Sequence, residues 1–194
     1  MPEQHKVVFL TDGVVILRPV LRSDIPFALS CVNDPGVRCF ISSYLPMLEE
    51  DEEKWVKRLH EQKETNIVFA IEVDEKTIGF MGLHNIKWKD RVAVTGAMIK
   101  EKENRGKGYG TRAKMLMLHY AFYECNLRKI CSHALAFNGA SIGFNEKCGY
   151  KEEAVLKKHI WNNGEYVDLV QSAVFLEDFV PLWEEHKKKY GIVL

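Results

Sequence analysis

The 194-residue sequence lacks several features that would place it in a special class of protein. It has no apolar run near the roughly 18 residues of a membrane span, and its first residues show no apolar core of an export signal. None of its five cysteines stands at C-x-x-C spacing, and their odd number cannot complete a set of disulfides. These absences predict a cytoplasmic protein with reduced, mostly buried thiols and no membrane partner.

Neither sign of charge is in excess, because 27 Lys and Arg residues balance 27 Asp and Glu residues. A protein that coats nucleic acid usually carries a basic excess, so we expect no nucleic-acid partner. The histidines show no metal-ligand spacing such as H-x-x-x-H, so we expect no metal.

The chain also lacks a linker, an internal repeat and a low-complexity block, which predicts one domain over residues 1–194. Its core is expected at about 14–176 and a C-terminal helix at 177–190. The hydrophobic pattern predicts strands at 14–18, 67–73, 77–83, 92–100, 129–136, 154–161 and 166–176. It predicts helices at about 24–32, 48–63, 108–124, 139–147 and 177–190, with a turn at 33–36. Early strands joined by tight turns and middle strands joined by a long apolar helix indicate an α/β (α+β) domain with a mixed sheet. Gly96, inside a strand, indicates a bulge or a close approach by another group.

The most informative segment is the glycine-rich stretch Arg105–Thr111, between a predicted strand and a long helix. Glycines at 106, 108 and 110 let the backbone approach a ligand, and a helix N-terminus attracts anions. This is also the most basic region of the chain, with Lys100, Lys102, Arg105, Lys107, Arg112 and Lys114. The spacing does not match a P-loop, and its third glycine comes one residue early for a dinucleotide-binding fingerprint. On spacing alone, a pyrophosphate site and a simple tight turn both remain open.

A second block limits these alternatives. Arg105-x-x-Gly108-x-Gly110 resembles the acetyl-CoA signature of the GNAT N-acetyltransferases. The stretch Asn138–Tyr150, with its Glu146-Lys147-x-Gly149-Tyr150 ending, is similar to a conserved block of the branch that contains ribosomal-protein and spermidine acetyltransferases. The resemblance extends from about Val14 to Leu176, and it implies a mostly antiparallel sheet with a splayed central strand that holds the cofactor.

The resemblance implies acetyl-CoA (coenzyme A) as cofactor and a set of residues that bind it. The pyrophosphate is expected on the backbone N–H groups of the loop, and the pantetheine arm along the preceding strand. Asn138 is expected beside the cofactor, although it is equally suited to cap the following helix. The implied cofactor-binding residues are Ala97, Met98, Ile99, Arg105, Gly106, Lys107, Gly108, Tyr109, Gly110, Thr111, Asn138, Ser141 and Phe144.

The sequence departs from the family at both proton-transfer groups. Asn145 stands where many relatives carry a tyrosine acid, which leaves Ser141 as the candidate catalytic residue, with Tyr150 nearby. The strand before the loop lacks the glutamate base of many relatives. Glu72 and His84 on the neighbouring hairpin are the remaining candidates, and a chain of water molecules would also serve.

The resemblance implies an enzyme that transfers an acetyl group directly to a primary amine. The acceptor could be a protein N-terminus, a polyamine or another small amine, and the enzyme could be a homodimer. The alternative is a non-catalytic acyl-CoA-binding sensor or interaction module with the same fold. A weaker alternative is a nucleotide-binding protein that uses the loop for ATP.

Overall fold

The computed structural model describes residues 7–41, 44–100 and 106–192. Eight strands form one sheet in the order β1-β2-β3-β4-β5-β6-β8-β7. Neighbouring strands are antiparallel except for β5 and β6, which are parallel. The strands are Leu10–Thr11 (β1), Ile16–Pro19 (β2), Ile67–Val73 (β3), Lys76–Lys87 (β4), Val92–Ile99 (β5), Lys129–Leu135 (β6), Lys151–Asn162 (β7) and Glu165–Phe175 (β8). The predicted α/β fold with a mixed sheet is confirmed.

Helices cover both faces of this sheet. They are Ile25–Val32 (α1), Pro35–Arg38 (α2), Glu49–Glu61 (α3), Tyr109–His119 (α4), Gly139–Glu146 (α5) and Leu176–Tyr190 (α6). A 3-10 turn at Arg22–Asp24 precedes α1, and π-helical turns at Tyr120–Glu124 extend α4. The larger core lies under α4 and α6, where Leu116 and Trp183 are buried against strand residues such as Leu17. A smaller cluster on the opposite face joins α1 and α3 to Phe80 of β4. We call these the α4 face and the α1–α3 face.

The parallel strands β5 and β6 pair over only part of their length. Their paired residues run from Val92 and Lys129 to Thr95 and Ser132. Beyond that point β5 continues on β4 as far as Ile99, while β6 continues on β8. The sheet therefore opens into a fork between residues 96–99 and residues 133–135. The Thr95–Ser132 pair is the closed end of this fork.

The structure matches most predicted elements and corrects three. The predicted turn at 33–36 leads into the short helix α2, where Asp34 caps the chain by accepting a hydrogen bond from the Gly36 N–H. The two-residue strand β1 was not predicted, because it is too short to show a hydrophobic period. Strand β4 extends to Lys87, four residues beyond its predicted end. None of the helices in the described ranges is long and apolar enough to cross a membrane.

Candidate active site

The glycine loop leads directly into the N-terminus of α4. Gly106 and Gly108 have φ angles of +80° and +82°, a conformation that side chains other than glycine rarely adopt. Arg112 is the first residue to donate a helical hydrogen bond, to the Gly108 carbonyl at 3.0 Å. The N–H groups of the turn before it therefore have no acceptor within the helix, and with the helix dipole they favour an anion. The predicted Arg105 lies outside the described residues.

The start of α4 contacts two other elements that carry predicted site residues. A Cβ added to Gly110 would lie 3.1 Å from Ile99 Cδ1 at the end of β5 and 3.4 Å from Phe144 Cε2 on α5. Glycine at this position lets the helix approach both side chains. The structure thus brings the loop, the end of β5 and α5 together at the open end of the fork.

Strand β5 directs alternate main-chain groups towards β4 and towards the fork. The Lys100 N–H donates to the carbonyl of Ile78 in β4, at 3.3 Å. Because alternate residues of a strand point the same way, the main chain of Met98 also faces β4, and that of Ala97 faces the fork. Ala97 is exposed although it lies in a central strand. A contact between Met98 and the cofactor would therefore have to come from its side chain, which packs beside Phe80 on the α1–α3 face.

Asn138 is the N-cap of α5. Its side-chain oxygen accepts a hydrogen bond of 3.1 Å from the Ser141 N–H, which satisfies one donor of the first helical turn. Ser141 is half-buried. No hydrogen bond within the described residues links its hydroxyl to β5 or to the loop, so its catalytic role stays a prediction.

A buried polar cluster lies at the closed end of the fork. Asn145 donates from Nδ2 to Ser132 Oγ at 3.0 Å, and its Oδ1 accepts from Lys114 Nζ at 2.5 Å. Tyr150 contacts Thr95 through their hydroxyl oxygens, which lie 3.2 Å apart. These side chains are almost completely buried, Lys114 with only 2% of its surface exposed. We call Thr95, Lys114, Ser132, Asn145 and Tyr150 the closed-end cluster.

Lys114 is the site residue that the sequence misplaced. The sequence places it among the basic residues around the loop, whereas in the structure it lies inside the protein, on the inner face of α4. Its Nζ is 4.4 Å from the centre of the Phe144 ring and 4.7 Å from that of Tyr150. Burial lowers the pKa of Lys114 to about 8, and the Cys148 thiol only partly opposes this shift. The signal in the sequence was a single lysine within a helix that is apolar nearly all round.

The two candidate bases occupy different surroundings. Glu72 Oε2 accepts a hydrogen bond of 2.7 Å from Arg18 Nε, and Arg18 also binds Asp24. This ion-pair network lies near the β3–β4 turn and joins β2 to β3, two strands that do not line the fork. His84 lies beside the fork, since its Nε2 is 3.2 Å from the position of a Cβ added to Gly96. Burial lowers the pKa of His84, so its imidazole is neutral at neutral pH.

These features fit coenzyme A. The loop and the first turn of α4 supply N–H donors for a pyrophosphate, and no side chain of the described residues lies within 4 Å of a Cβ added to Gly106 or Gly108. The fork exposes the main chain of a central strand, where an amide-containing arm can bind as an added strand. No cluster of three or more His, Cys, Asp or Glu side chains in the described ranges could hold a metal ion.

A mixed sheet forked between two parallel strands, with an anion-binding helix N-terminus at its open end, fits a protein that binds coenzyme A. The sequence profile of the acetyltransferase (GNAT) domain matches residues 15–151. The chain therefore belongs to the GNAT acetyltransferase family. It is an N-acetyltransferase, and acetyl-CoA is the cofactor of this family.

Similar proteins include curated and structurally characterised acetyltransferases. The chain is 25% identical to the prophage-derived uncharacterized N-acetyltransferase YokL of Bacillus subtilis over 89% of its own length and 96% of that protein. The crystal structure of spermidine N-acetyltransferase from Vibrio cholerae, in complex with CoA and spermine, matches with a TM-score of 0.80 at 24% identity, covering 87% of this chain and 99% of that one. RimJ of Mycobacterium smegmatis, in complex with CoA-disulfide, matches with a TM-score of 0.80 at 20% identity, covering 96% and 93%. The two structural matches show the shared fold.

Proposed function

We propose that the protein transfers the acetyl group of acetyl-CoA directly to the N-terminal amine of a protein or peptide. Bound acetyl-CoA supplies a thioester whose carbonyl carbon the amine attacks, and the leaving sulfur must gain a proton. The chain must then hold the cofactor, place the acceptor at the fork, remove one proton from the amine and provide one to the sulfur.

The cofactor is held mainly by main-chain donors. The N–H groups of Gly108, Tyr109, Gly110 and Thr111 bind the pyrophosphate at the N-terminus of α4, with Lys107 adding a positive charge beside them. The Ala97 N–H faces the fork and is available to the pantetheine arm or to the thioester oxygen. Phe144 contacts the start of α4 and lines the proposed cofactor site. Asn138 holds the start of α5 in place beside it.

The acceptor preference rests on one observation, an exposed aromatic rim at the open end of the fork. Phe137 follows β6 closely, and its ring centre is 5.9 Å from that of Phe40. The tip of the β7–β8 hairpin is joined to this pair because Asn162 Nδ2 donates to the Cys39 carbonyl at 2.9 Å. The hairpin adds Trp161 and Tyr166, whose ring centres are 4.9 Å apart. We call Phe40, Phe137, Trp161 and Tyr166 the aromatic rim.

The chemistry of the aromatic rim suits a peptide better than a polyamine. Its four side chains are uncharged and exposed over 41–61% of their surface. Aromatic rings bury apolar side chains and extended backbone well, whereas a polyamine needs carboxylates at its several cationic nitrogens. An N-terminal residue with an apolar side chain therefore fits the rim, with its α-amine directed into the fork.

His84 is the base that accepts the proton of the amine. Its imidazole lies over Gly96, the first β5 residue past the closed end of the fork, on the α1–α3 face. A neutral imidazole with a lowered pKa can accept a proton at neutral pH. Glu72 is already engaged by Arg18.

A panel of acceptors tests the proposal. The purified protein is incubated with acetyl-CoA and with peptides whose first residue is apolar, acidic or basic, and also with spermidine and spermine. Thiol release gives the rate, and mass spectrometry gives the acetylated atom. Peptides with an apolar first residue should have the highest kcat/KM and carry the acetyl group on the α-amine. A higher kcat/KM for a polyamine than for every peptide would overturn the acceptor assignment.

A variant of the aromatic rim tests whether this surface binds the peptide. Trp161→Ala should raise the KM for peptides without changing the affinity for coenzyme A. Trp88→Ala is the matched control, since Trp88 is also exposed but its Nε1 donates to the Glu64 carbonyl, outside the rim. Equal effects of the two substitutions would exclude the aromatic rim as the acceptor surface.

A further inference from the structure

Lys114 is a buried cation whose charge no carboxylate balances. Among the described residues, its Nζ forms no ion pair, and its one hydrogen bond goes to Asn145 Oδ1. A buried lysine of this kind is costly, because removal of water disfavours its charge. A methionine or leucine would fill the same space in α4 at no such cost. The cost of burying a lysine here therefore indicates that its amine has a function.

Lys114 lies near the closed end of the fork, where β5 and β6 separate. Asn145 connects Nζ to Ser132, and Ser132 is paired with Thr95 at the closed end of the fork. Lys114 also follows Gly110 by four residues, so it lies one helical turn deeper on the face of α4 that contacts Ile99. The amine thus lies one helical turn from the anion-binding start of α4 and is linked through Asn145 to the closed end of the fork.

Asn145 cannot supply a proton itself, because a side-chain amide is far too weak an acid. The space beside Asn145 is occupied by the Lys114 ammonium, between the rings of Phe144 and Tyr150. The two residues form a pair in which the lysine supplies the exchangeable proton and the amide orients it.

We propose that Lys114 is the general acid of the acetyl transfer and delivers a proton from Nζ to the departing sulfur. The inference rests on the proposed function, because it assigns a step of that reaction. The amine nitrogen forms a bond to the acetyl carbon, the bond from that carbon to sulfur breaks, and sulfur takes the proton of the Lys114 ammonium. Lys114 is left as a neutral amine, which the proton released by the acceptor, passed on by the base and water, converts back to the ammonium.

The acidity of Lys114 matches this task better than that of Tyr150. A pKa of about 8 lies close to the roughly 8.5 of a free alkyl thiol, so proton transfer to the sulfur is nearly balanced. Burial raises the pKa of Tyr150 well above its usual value, which makes the phenol a weaker acid. The other titratable group near Nζ is the Cys148 thiol, whose pKa burial raises to about 11, so it stays neutral.

The kinetic test compares Lys114→Met with the wild type, with exposed Lys57→Met as the control. Lys114→Met should lower kcat by about 10-fold or more and leave the KM for acetyl-CoA unchanged. In the wild type kcat should fall as the pH rises through about 8, and this alkaline limb should be absent from Lys114→Met. A double variant, Lys114→Leu with Asn145→Tyr, should regain most of the lost kcat, with its alkaline limb moved towards the pKa of a phenol.

A second measurement does not depend on turnover. In protein labelled with 13C at the lysine ε-carbons, the Lys114 signal, identified by its absence from Lys114→Met, should titrate near pH 8. Coenzyme A should shift this signal, and desulfo-coenzyme A, which lacks the sulfur, should not. The titration itself uses the wild-type protein, and Lys114→Arg identifies the signal in the same way if Lys114→Met does not fold.

The outcomes separate this inference from the proposed function. If wild-type protein acetylates no amine of the panel, the proposed function fails. If wild-type protein is active but Lys114→Met keeps its kcat within two-fold together with the alkaline limb, Lys114 is not the acid. A Lys114 signal with the ordinary pKa of a lysine, or with equal responses to coenzyme A and its desulfo form, would also overturn the inference. A loss of the alkaline limb in Tyr150→Phe, with Lys114→Met unaffected, would assign the role to the phenol instead.

Discussion

Arg18 binds Glu72 through a buried hydrogen bond of 2.7 Å between Nε and Oε2. The same guanidinium binds both carboxylate oxygens of Asp24, so one cation joins β2, β3 and the turn before α1. Burial opposes the charge of Asp24, but hydrogen bonds from Arg18, the Leu21 N–H and Thr77 outweigh it and lower the Asp24 pKa. Glu72 is therefore part of a structural network that anchors the α1–α3 face to the sheet.

We predict that Glu72→Gln lowers stability and not catalysis. The substitution leaves Arg18 with one counter-ion fewer in a buried site, which should reduce the free energy of unfolding by about 1–3 kcal/mol. Urea unfolding measures this change, and kcat at neutral pH should be unchanged. The control is Glu61→Gln, which removes an exposed partner of Lys57 and should change stability by less than about 0.5 kcal/mol. A large loss of kcat with intact stability would restore Glu72 as a base.

We predict that a negative charge at Gly108 weakens binding of coenzyme A. Asp and Asn tolerate the left-handed backbone of Gly108 about equally, and no atom of the described residues lies within 4 Å of the Cβ position. Gly108→Asp and Gly108→Asn therefore differ mainly in charge. Calorimetry should show a Kd for coenzyme A about 10-fold or more higher for Asp than for Asn, because the carboxylate repels the pyrophosphate. The difference should shrink in high salt, and equal Kd values at low salt would place the pyrophosphate elsewhere.

We predict that substitutions of Asn138 separate its role as a helix cap from its expected role in binding the cofactor. Asn138→Asp keeps an oxygen that accepts from the Ser141 N–H, so the stability of the protein should be retained. Asn138→Ala removes the cap and should cost about 1 kcal/mol of unfolding free energy. If the amide also donates to the cofactor, both variants should bind coenzyme A more weakly than the wild type. Wild-type affinity in Asn138→Asp would leave capping as the whole role of this residue.

The fold and the loop could be predicted from sequence because their determinants are local. The glycines before α4, the Asn138 cap and the strand alternation each act over a few residues. Gly96 was also informative, since its predicted close approach is confirmed by the imidazole of His84 lying over it. The short helix α2 was not predicted because a Pro-Gly pair favours a turn. In the structure a capping aspartate extends that turn into a helix.

The surroundings of the candidate proton-transfer residues could not be predicted, because they depend on distant parts of the chain. The buried Lys114 donates a hydrogen bond to a residue 31 positions later in the chain. Glu72 accepts a hydrogen bond from an arginine 54 positions earlier. A local pattern shows only that each residue is charged. Whether that charge faces water, a counter-ion or a cofactor is decided by how the helices close over the sheet.

The two residues that we propose for proton transfer lie on opposite faces of β5. His84 follows Phe80 by four residues in β4, so both side chains lie on the same face of the sheet. Phe80 packs on Trp55 of α3, which places the imidazole on the α1–α3 face. Lys114 reaches the closed end of the fork from the α4 face. An acceptor amine and a departing sulfur can thus exchange protons with the protein from opposite sides of one strand.

We predict that His84 controls the acid limb of the pH profile. Burial lowers its pKa below the ordinary value of about 6.5, so the neutral base persists at neutral pH. Wild-type kcat/KM should fall only as the pH drops through this lowered pKa, where the imidazole gains a proton and can no longer accept one. His84→Asn should lower kcat by about 100-fold and abolish the acid limb, because an amide does not titrate in this range.

Two further variants complete this test. His60→Asn changes an exposed histidine of α3 and should leave the profile unchanged. Gly96→Ala places a methyl group 3.2 Å from His84 Nε2, so the ring must move by a few tenths of an ångström. This variant should lower kcat by less than His84→Asn does and keep the acid limb. If His84→Asn retains both its rate and its acid limb, the amine is deprotonated by another group or by water, and the imidazole only fills the space above Gly96.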